Sequence, residues 1–208
     1  MCQGKFPYLV IISGVFNPFS FWENFPVIEV ELKVRADLQK VRKRLQDLGA
    51  FLKGFEVEED LYFNSPWRDF SQSDEALRIR IRGKGGILTY KGPKLDSLSK
   101  TREEIEVEVS DWHETKRLLL KLGFKEVGRV RKWRERYELG ELVVSLDRVE
   151  GLGEFVEVEA KAEGNYSRLL RKALELLEIL GVSEEPIRES YLEMLLAKKL
   201  FDKHQARG

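Results

Sequence analysis

The chain holds a single cysteine, Cys2, and two histidines, His113 and His204, in 208 residues. A lone thiol makes no internal disulfide, and this set cannot build a zinc centre of the usual kind. Any metal bound here would rest on carboxylates. Neither charge is in excess, since Lys and Arg total 36 and Asp and Glu total 36. That balance argues against disorder and against indiscriminate capture of nucleic acid. Long hydrophobic runs are also missing. The longest uncharged stretch, Phe6 to Trp22, has 17 residues broken by Pro7, Asn17 and Pro18, short of the ~20 that span a bilayer. As a signal peptide it would use Lys5 as its basic end and Leu9 to Phe16 as its apolar part, but no small-x-small cleavage site follows. The expectation is a cytoplasmic protein without nucleic-acid or membrane partners.

What is present is a chain 42% apolar and 35% charged, long enough for one large domain or one domain with an appendage. Composition changes sharply at Val27. The reading is an N-terminal extension of unknown role (1–26), a domain over 27–200 and a polar tail over 201–208. Three segments of the domain share one plan: IEVELKV (28–34), EIEVEV (104–109) and VEVEAKA (156–162) alternate charged and apolar residues, as strands with one polar face do. Each precedes a helix that stops at Leu-Gly. The first opens on Asp37 and stops at Gly49; the second opens on Asp111, with Glu114 completing a capping box, and stops at Gly123; the third opens near Asn165 and stops at Gly181. Five more alternating stretches, Asp60–Phe63, Leu77–Arg82, Ile87–Lys91, Val127–Tyr137 and Glu141–Asp147, bring the strands to eight. Tight turns at Gly83–Gly86 and Leu139-Gly140 make them antiparallel. The predicted fold class is α+β: an eight-stranded antiparallel closed β-barrel with helices packed outside.

Residues of equal parity share a face. Glu29, Glu31 and Lys33 form one row; Arg78, Arg80 and Arg82 a second; Arg102, Glu104, Glu106 and Glu108 a third; Lys132, Arg134 and Arg136 a fourth; Glu157, Glu159 and Lys161 a fifth. The opposite faces, Ile105, Val107 and Val109 among them, are expected under the helices. A solvated face explains any single row. Five rows made almost only of Glu, Arg and Lys, sorted by sign, are better explained if they point into a closed barrel. Confined like charges repel by ~4 kcal/mol at 4 Å and an effective dielectric near 20, so such an interior calls for a polyvalent guest. A polyphosphate with divalent cations satisfies both signs, because Arg and Lys grip phosphate oxygens while carboxylates hold a hard metal. Oxygen-only ligands favour Mg²⁺ or Mn²⁺.

VIEVELKV, with the ExExK pattern Glu29, Glu31, Lys33, resembles the CYTH superfamily of triphosphate tunnel metalloenzymes. The resemblance runs on through ALRIRIR, LTYKGP, KTREEIEVEV, RKWRERY, LVVSLDRVEGLG and EFVEVEAK, and is nearest to the class IV adenylyl cyclase branch. It implies a tunnel that binds a triphosphate end-on with Mg²⁺ or Mn²⁺. Glu29, Glu31 and Lys33 are then catalytic, and Glu29, Glu31, Glu157 and Glu159 hold metal with Asp147 joining or supporting them. Glu104 and Glu106 either bind a second metal or pair with arginines. Lys33, Arg78, Arg80, Lys91, Arg102, Lys132 and Arg134 contact phosphates, while Arg82, Glu108, Arg136 and Lys161 lie nearer the strand ends. The reaction class implied is ATP to cyclic AMP and pyrophosphate; hydrolysis of inorganic tripolyphosphate, thiamine triphosphate or a nucleoside triphosphate, and plain polyphosphate or nucleotide binding, stay open. So does homodimer formation.

Neither histidine has a pattern partner, and both read as surface residues. Trp67, Trp112 and Trp133 read as packing anchors. The segment Asn64 to Asp74, with Pro66, Trp67 and Phe70, is expected to be a loop at the barrel mouth facing a base.

Overall fold

The computed structural model describes residues 27–163 and 165–205, so the 1–26 extension lies outside the described residues. Eight strands form a closed antiparallel barrel in the order β1-β5-β4-β3-β2-β6-β7-β8. They are β1 (Val27–Arg35), β2 (Phe51–Asn64), β3 (Ala76–Arg82), β4 (Gly85–Lys91), β5 (Arg102–Val109), β6 (Lys125–Leu139), β7 (Leu142–Val149) and β8 (Gly153–Glu163). Helices α1 (Leu38–Asp47), α2 (Trp112–Lys121), α3 (Ser167–Ile179) and α4 (Tyr191–Gln205) complete the structure.

The helix grammar holds at both ends. The Asp37 side chain accepts from the backbone N–H of Gln39 and Lys40, and Asp111 does the same for His113 and Glu114. The capping box at α2 is only half made, because the Glu114 carboxylate pairs with Arg117. Gly49, Gly123 and Gly181 all sit at positive φ, the left-handed conformation in which a Leu-Gly stop turns the chain out of its helix.

Alternation decides which face each helix covers. Val30, Leu32 and Val34 of β1, with the outward residues of β7 and β8, pack beneath α1 and α3 in the largest apolar cluster. Leu61, Phe63, Leu77 and Ile79 pack beneath Leu119 of α2. The expectation that every apolar row lies under a helix fails at β5, where Ile105 is 52% and Val107 53% exposed. Contacts of α2 fall on β3, β4 and β6 and those of α3 on β1 and β8, which leaves β5 uncovered.

One feature exceeds the sequence reading. Strand β2 is 14 residues long, with a bulge between Leu52 and Gly54 that lets both halves pair with β6. Residues 201–205 of the polar tail, whose sequence AKKLFDKHQARG (197–208) reads as a frayed helix end, continue α4. That helix is seated on glycines: a Cβ on Gly128 would run into Leu192 Cδ1, and one on Gly151 would stand 3.3 Å from Leu195 Cδ2. Its first residue, Tyr191, enters the barrel and packs with Tyr62, Val130, Val149 and Phe155 into an apolar plug at one end.

Candidate active site

Register places the inward rows against one another. Asp60 lies opposite Arg80 and Glu58 opposite Lys132. Lys91 faces Glu104 across β4 and β5, Arg134 faces Asp147 across β6 and β7, and Glu31 faces Glu159 across β1 and β8. The rows surround a cavity of about 570 Å³. The side formed by β3, β2 and β6 carries Arg78, Arg80, Lys132 and Arg134 with Asp60 among them; the side formed by β8, β1 and β5 carries Glu29, Glu31, Glu104 and Glu159, with Lys91, Lys100 and Arg102 beside them.

Each buried charge has a partner, as a desolvated interior requires. Arg80 grips Asp60 through Nε and Nη2 at 2.8 and 2.9 Å. Arg134 grips Asp147 in the same two-pronged way at 2.7 and 2.6 Å and also donates to Glu157. Lys132 donates to Asp147 at 2.9 Å, Lys100 to Glu31 and Lys91 to Glu104. Arg102 is buried and turned to the carbonyls of Gly92 and Lys100.

The acidic wall is poised for a cation. Burial and the adjoining Glu104 carboxylate hold the Glu29 carboxyl well above its usual range. Burial also pushes Glu104 up, but Lys91, Arg78 and a hydrogen bond shared with Glu29 bring it down to about 2. The two carboxylates repel one another in this buried pair, and a dication between them would relieve that repulsion. Burial, with Glu157 and Glu31 nearby, raises Glu159 as well. Among the described residues no three Asp, Glu, His or Cys side chains already stand around a common point. The all-oxygen donor set and the close pair of Glu29 and Glu104 carboxylates nonetheless fit a hard divalent ion.

Two expected site residues stand back from the cavity. Lys33 is fully buried; its ammonium donates to the Glu189 carbonyl and lies 4.4 Å from the centre of the Tyr191 ring. Burial, and then the charge of Lys100, lowers it to about 7. Asp147 is also fully buried, held by Lys132, Arg134 and, at 3.0 Å, the Tyr191 hydroxyl. Glu106 and Lys161 line the outer part of the cavity, 3.9 Å apart. The Asn64–Asp74 loop does border the cavity, where Phe70 faces it. Trp67 does not: it is 73% exposed and packs edge-on against Phe124.

Sequence reasoning missed Glu58, Asp60, Lys100 and Tyr191. The run Glu58-Glu59-Asp60 interrupts strict alternation, so only the register shows which of its members point inward. Lys100 precedes its strand, and Tyr191 opens a helix whose lodging in the barrel no local pattern announces.

Comparison with known proteins agrees with this architecture. The family profile described as the CYTH domain matches residues 27–191. A Methanocaldococcus jannaschii protein named "Putative adenylate cyclase MJ0240" is 45% identical over 172 residues, covering 81% of this chain and 98% of the relative. "Adenylate cyclase CyaB" of Aeromonas hydrophila is 30% identical over 103 residues, about half of each chain. Among solved structures, the PH1819 protein of Pyrococcus horikoshii OT3 superposes with a TM-score of 0.72 at 44% identity, covering 82% of this chain and 99% of that one. The barrel, its sorted charges and these matches agree: the chain belongs to the CYTH family.

Proposed function

We propose that this chain is a divalent-metal-dependent enzyme acting on a triphosphate, converting ATP to cyclic AMP and pyrophosphate in the manner of a class IV adenylyl cyclase. The observation that carries the reading is the facing of two walls across one cavity, Arg78, Arg80, Lys132 and Arg134 opposite Glu29, Glu31, Glu104 and Glu159. A pure anion binder has no use for the acidic wall. Phosphoryl transfer, by contrast, needs cations on the equatorial oxygens and an orienting cage around the reacting phosphorus. Glu29, Glu31, Glu104 and Glu159 would hold Mg²⁺ or Mn²⁺, which would supply charge neutralisation at the phosphoryl oxygens.

The guanidiniums of Arg78, Arg80 and Arg134, each fixed by a carboxylate, orient the chain of phosphates. As a base, Lys33 would first have to leave the Glu189 carbonyl and pass Tyr191 to reach the cavity; an amine brought to about 7 then accepts the proton of the attacking oxygen near neutrality. Phe70, in the β2–β3 loop, borders the cavity and offers an apolar face to a base.

A second reading, triphosphate hydrolysis, has one observation in its favour. Cyclisation needs the ribose 3′-oxygen held in line with the leaving pyrophosphate, and Trp67, an aromatic expected near the base, turns outward. Products separate the two. ATP and inorganic tripolyphosphate are offered with Mg²⁺ or Mn²⁺: cyclic AMP with pyrophosphate from ATP identifies the cyclase, whereas orthophosphate with ADP from ATP, or with pyrophosphate from tripolyphosphate, and no cyclic AMP identifies the hydrolase. Absence of metal-dependent turnover with either substrate would leave a binding module.

A further inference from the structure

Glu58 of β2 is 2% exposed and embedded among four cations that line the cavity. Its Oε1 accepts from Arg80 Nη1 at 2.9 Å and Arg136 Nη2 at 3.3 Å. Its Oε2 stands 2.8 Å from Arg80 Nη2 and 3.2 Å from Lys132 Nζ, and Arg134 Nη1 lies 4.0 Å from Oε1. Burial pushes its carboxyl up, but Lys132, Arg134 and Arg80 together hold it well below the usual range, so it is ionised.

None of the four cations depends on Glu58 for its position. Arg80 is gripped twice by Asp60, Lys132 and Arg134 are bonded to Asp147, and Arg136 pairs with Glu56 at 3.1 Å. What Glu58 adds is charge. It is not among the residues lining the cavity, so it is an anion fixed behind the cationic wall, lowering the positive potential that an entering polyanion meets.

We infer that Glu58 is a selectivity residue: it weakens the tunnel's attraction for a bare polyanion, so that a triphosphate is admitted in company with a divalent cation rather than alone. The inference rests on the triphosphate reading above. Asp60, two residues along the same strand face, supplies the contrast. It holds Arg78 at 3.3 Å as well as Arg80, and Arg78 Nε is buried with no partner among the described residues. Removing Asp60 takes from Arg80 its two-pronged partner and from Arg78 its bonded carboxylate, leaving Arg80 to Glu58 and Arg78 to the Thr89 hydroxyl at 3.2 Å, so lost orientation outweighs gained potential. Removing Glu58 releases none, so potential decides. The two substitutions should act with opposite sign.

The test is calorimetric titration of inorganic tripolyphosphate into the full chain, once in EDTA and once in excess Mg²⁺. Glu58→Gln should tighten metal-free binding about tenfold, the effect of one unit charge some 6 Å away in a partly hydrated site. The change in Mg²⁺ should be smaller, and Asp60→Asn should weaken binding in both conditions. Glu58→Ala should move in the same direction as Glu58→Gln, with circular dichroism checking that each variant is folded. Metal-free binding by the folded Glu58 variants equal to or weaker than the parent's would overturn the inference. So would failure of both to fold, which would make Glu58 a structural counter-ion. No binding by the parent in either condition would instead remove the triphosphate reading, and the inference with it.

Discussion

Replacing Lys33 by methionine should make the metal-free chain more stable at neutral pH while ending its turnover. Lys33 is fully buried and lowered from 10.5 to about 7, first by burial and then by Lys100. An unfolded lysine titrates near 10.4, so the gap is about 3.5 units, worth at most about 5 kcal/mol at ~1.4 kcal/mol per unit. The sign follows from proton counting. Between pH 7 and about 10 the unfolded chain carries a proton on Lys33 that the folded chain has shed, so stability rises with pH through this window and is lowest below it. Methionine removes the penalty but also the bond to the Glu189 carbonyl and the contact with Tyr191, together about 1–2 kcal/mol. Glu31 keeps Lys100 and Glu157 keeps Arg134 as partners. The net gain at pH 7 is about 2–4 kcal/mol, or about 5–10 °C in Tm for a chain of this size. Thermal unfolding of parent and Lys33→Met, followed by circular dichroism in EDTA at pH 7 and 9.5, measures it. A variant less stable than the parent at pH 7, or a parent that loses stability between the two values, would refute the reasoning.

Glu31→Gln should lower metal-dependent turnover by at least ~10²-fold with the fold retained, the scale of losing one transition-state charge interaction; parental rates at saturating Mg²⁺ would remove Glu31 from the acidic wall. Gly128→Ala should destabilise the chain by about 1–3 kcal/mol through its collision with Leu192, and adding Leu192→Ala should restore much of the loss in a double-mutant cycle of chemical denaturation. Phe70→Ala should raise the KM for ATP more than that for inorganic tripolyphosphate, whereas Trp67→Ala should leave both near parental values, as steady-state kinetics on the two substrates will show.

The barrel was legible because its strands announce themselves twice. Alternation marks them, and the Leu-Gly stops and tight glycine turns mark where they reverse. The inward rows were legible for the same reason: Arg78 with Arg80 and Glu157 with Glu159 differ by two residues, and a closed sheet leaves equal parity one place to point. Pairing was not. Nothing local says that Asp60 meets Arg80 or that Lys100 reaches Glu31, because those contacts depend on register and on a loop crossing to another strand. The helix coverage of β5 was misjudged for a related reason, since alternation reports that one face is apolar but not whether a helix is available to lie on it. Lys33 belongs with these cases. Its residue type suggested a phosphate contact, while its withdrawal behind Tyr191 is set by a segment more than 150 residues away.

The seam between β1 and β5 has a consequence for the order in which the chain can assemble. Only two residue pairs join these strands, Ile28 with Glu103 and Glu29 with Arg102. Farther along β1, the Glu31 carbonyl accepts from Lys100 at 2.9 Å and the Lys33 carbonyl from Ile187 at 2.6 Å. The other edge of β1 pairs along its whole length with β8, from Val27 opposite Glu163 to Arg35 opposite Phe155. The strand at the start of the domain thus finds its main partner near the domain's end and its last backbone bond later still. During synthesis β2, β3 and β4 can form hairpin contacts while β1 waits, its ExExK row in water. Closure is a late event of high contact order, and a slow one. A ribosome-bound chain that stops before Ile187 would hold every strand of the ring, yet would lack Tyr191 of the plug and the backbone bond from Ile187 to Lys33.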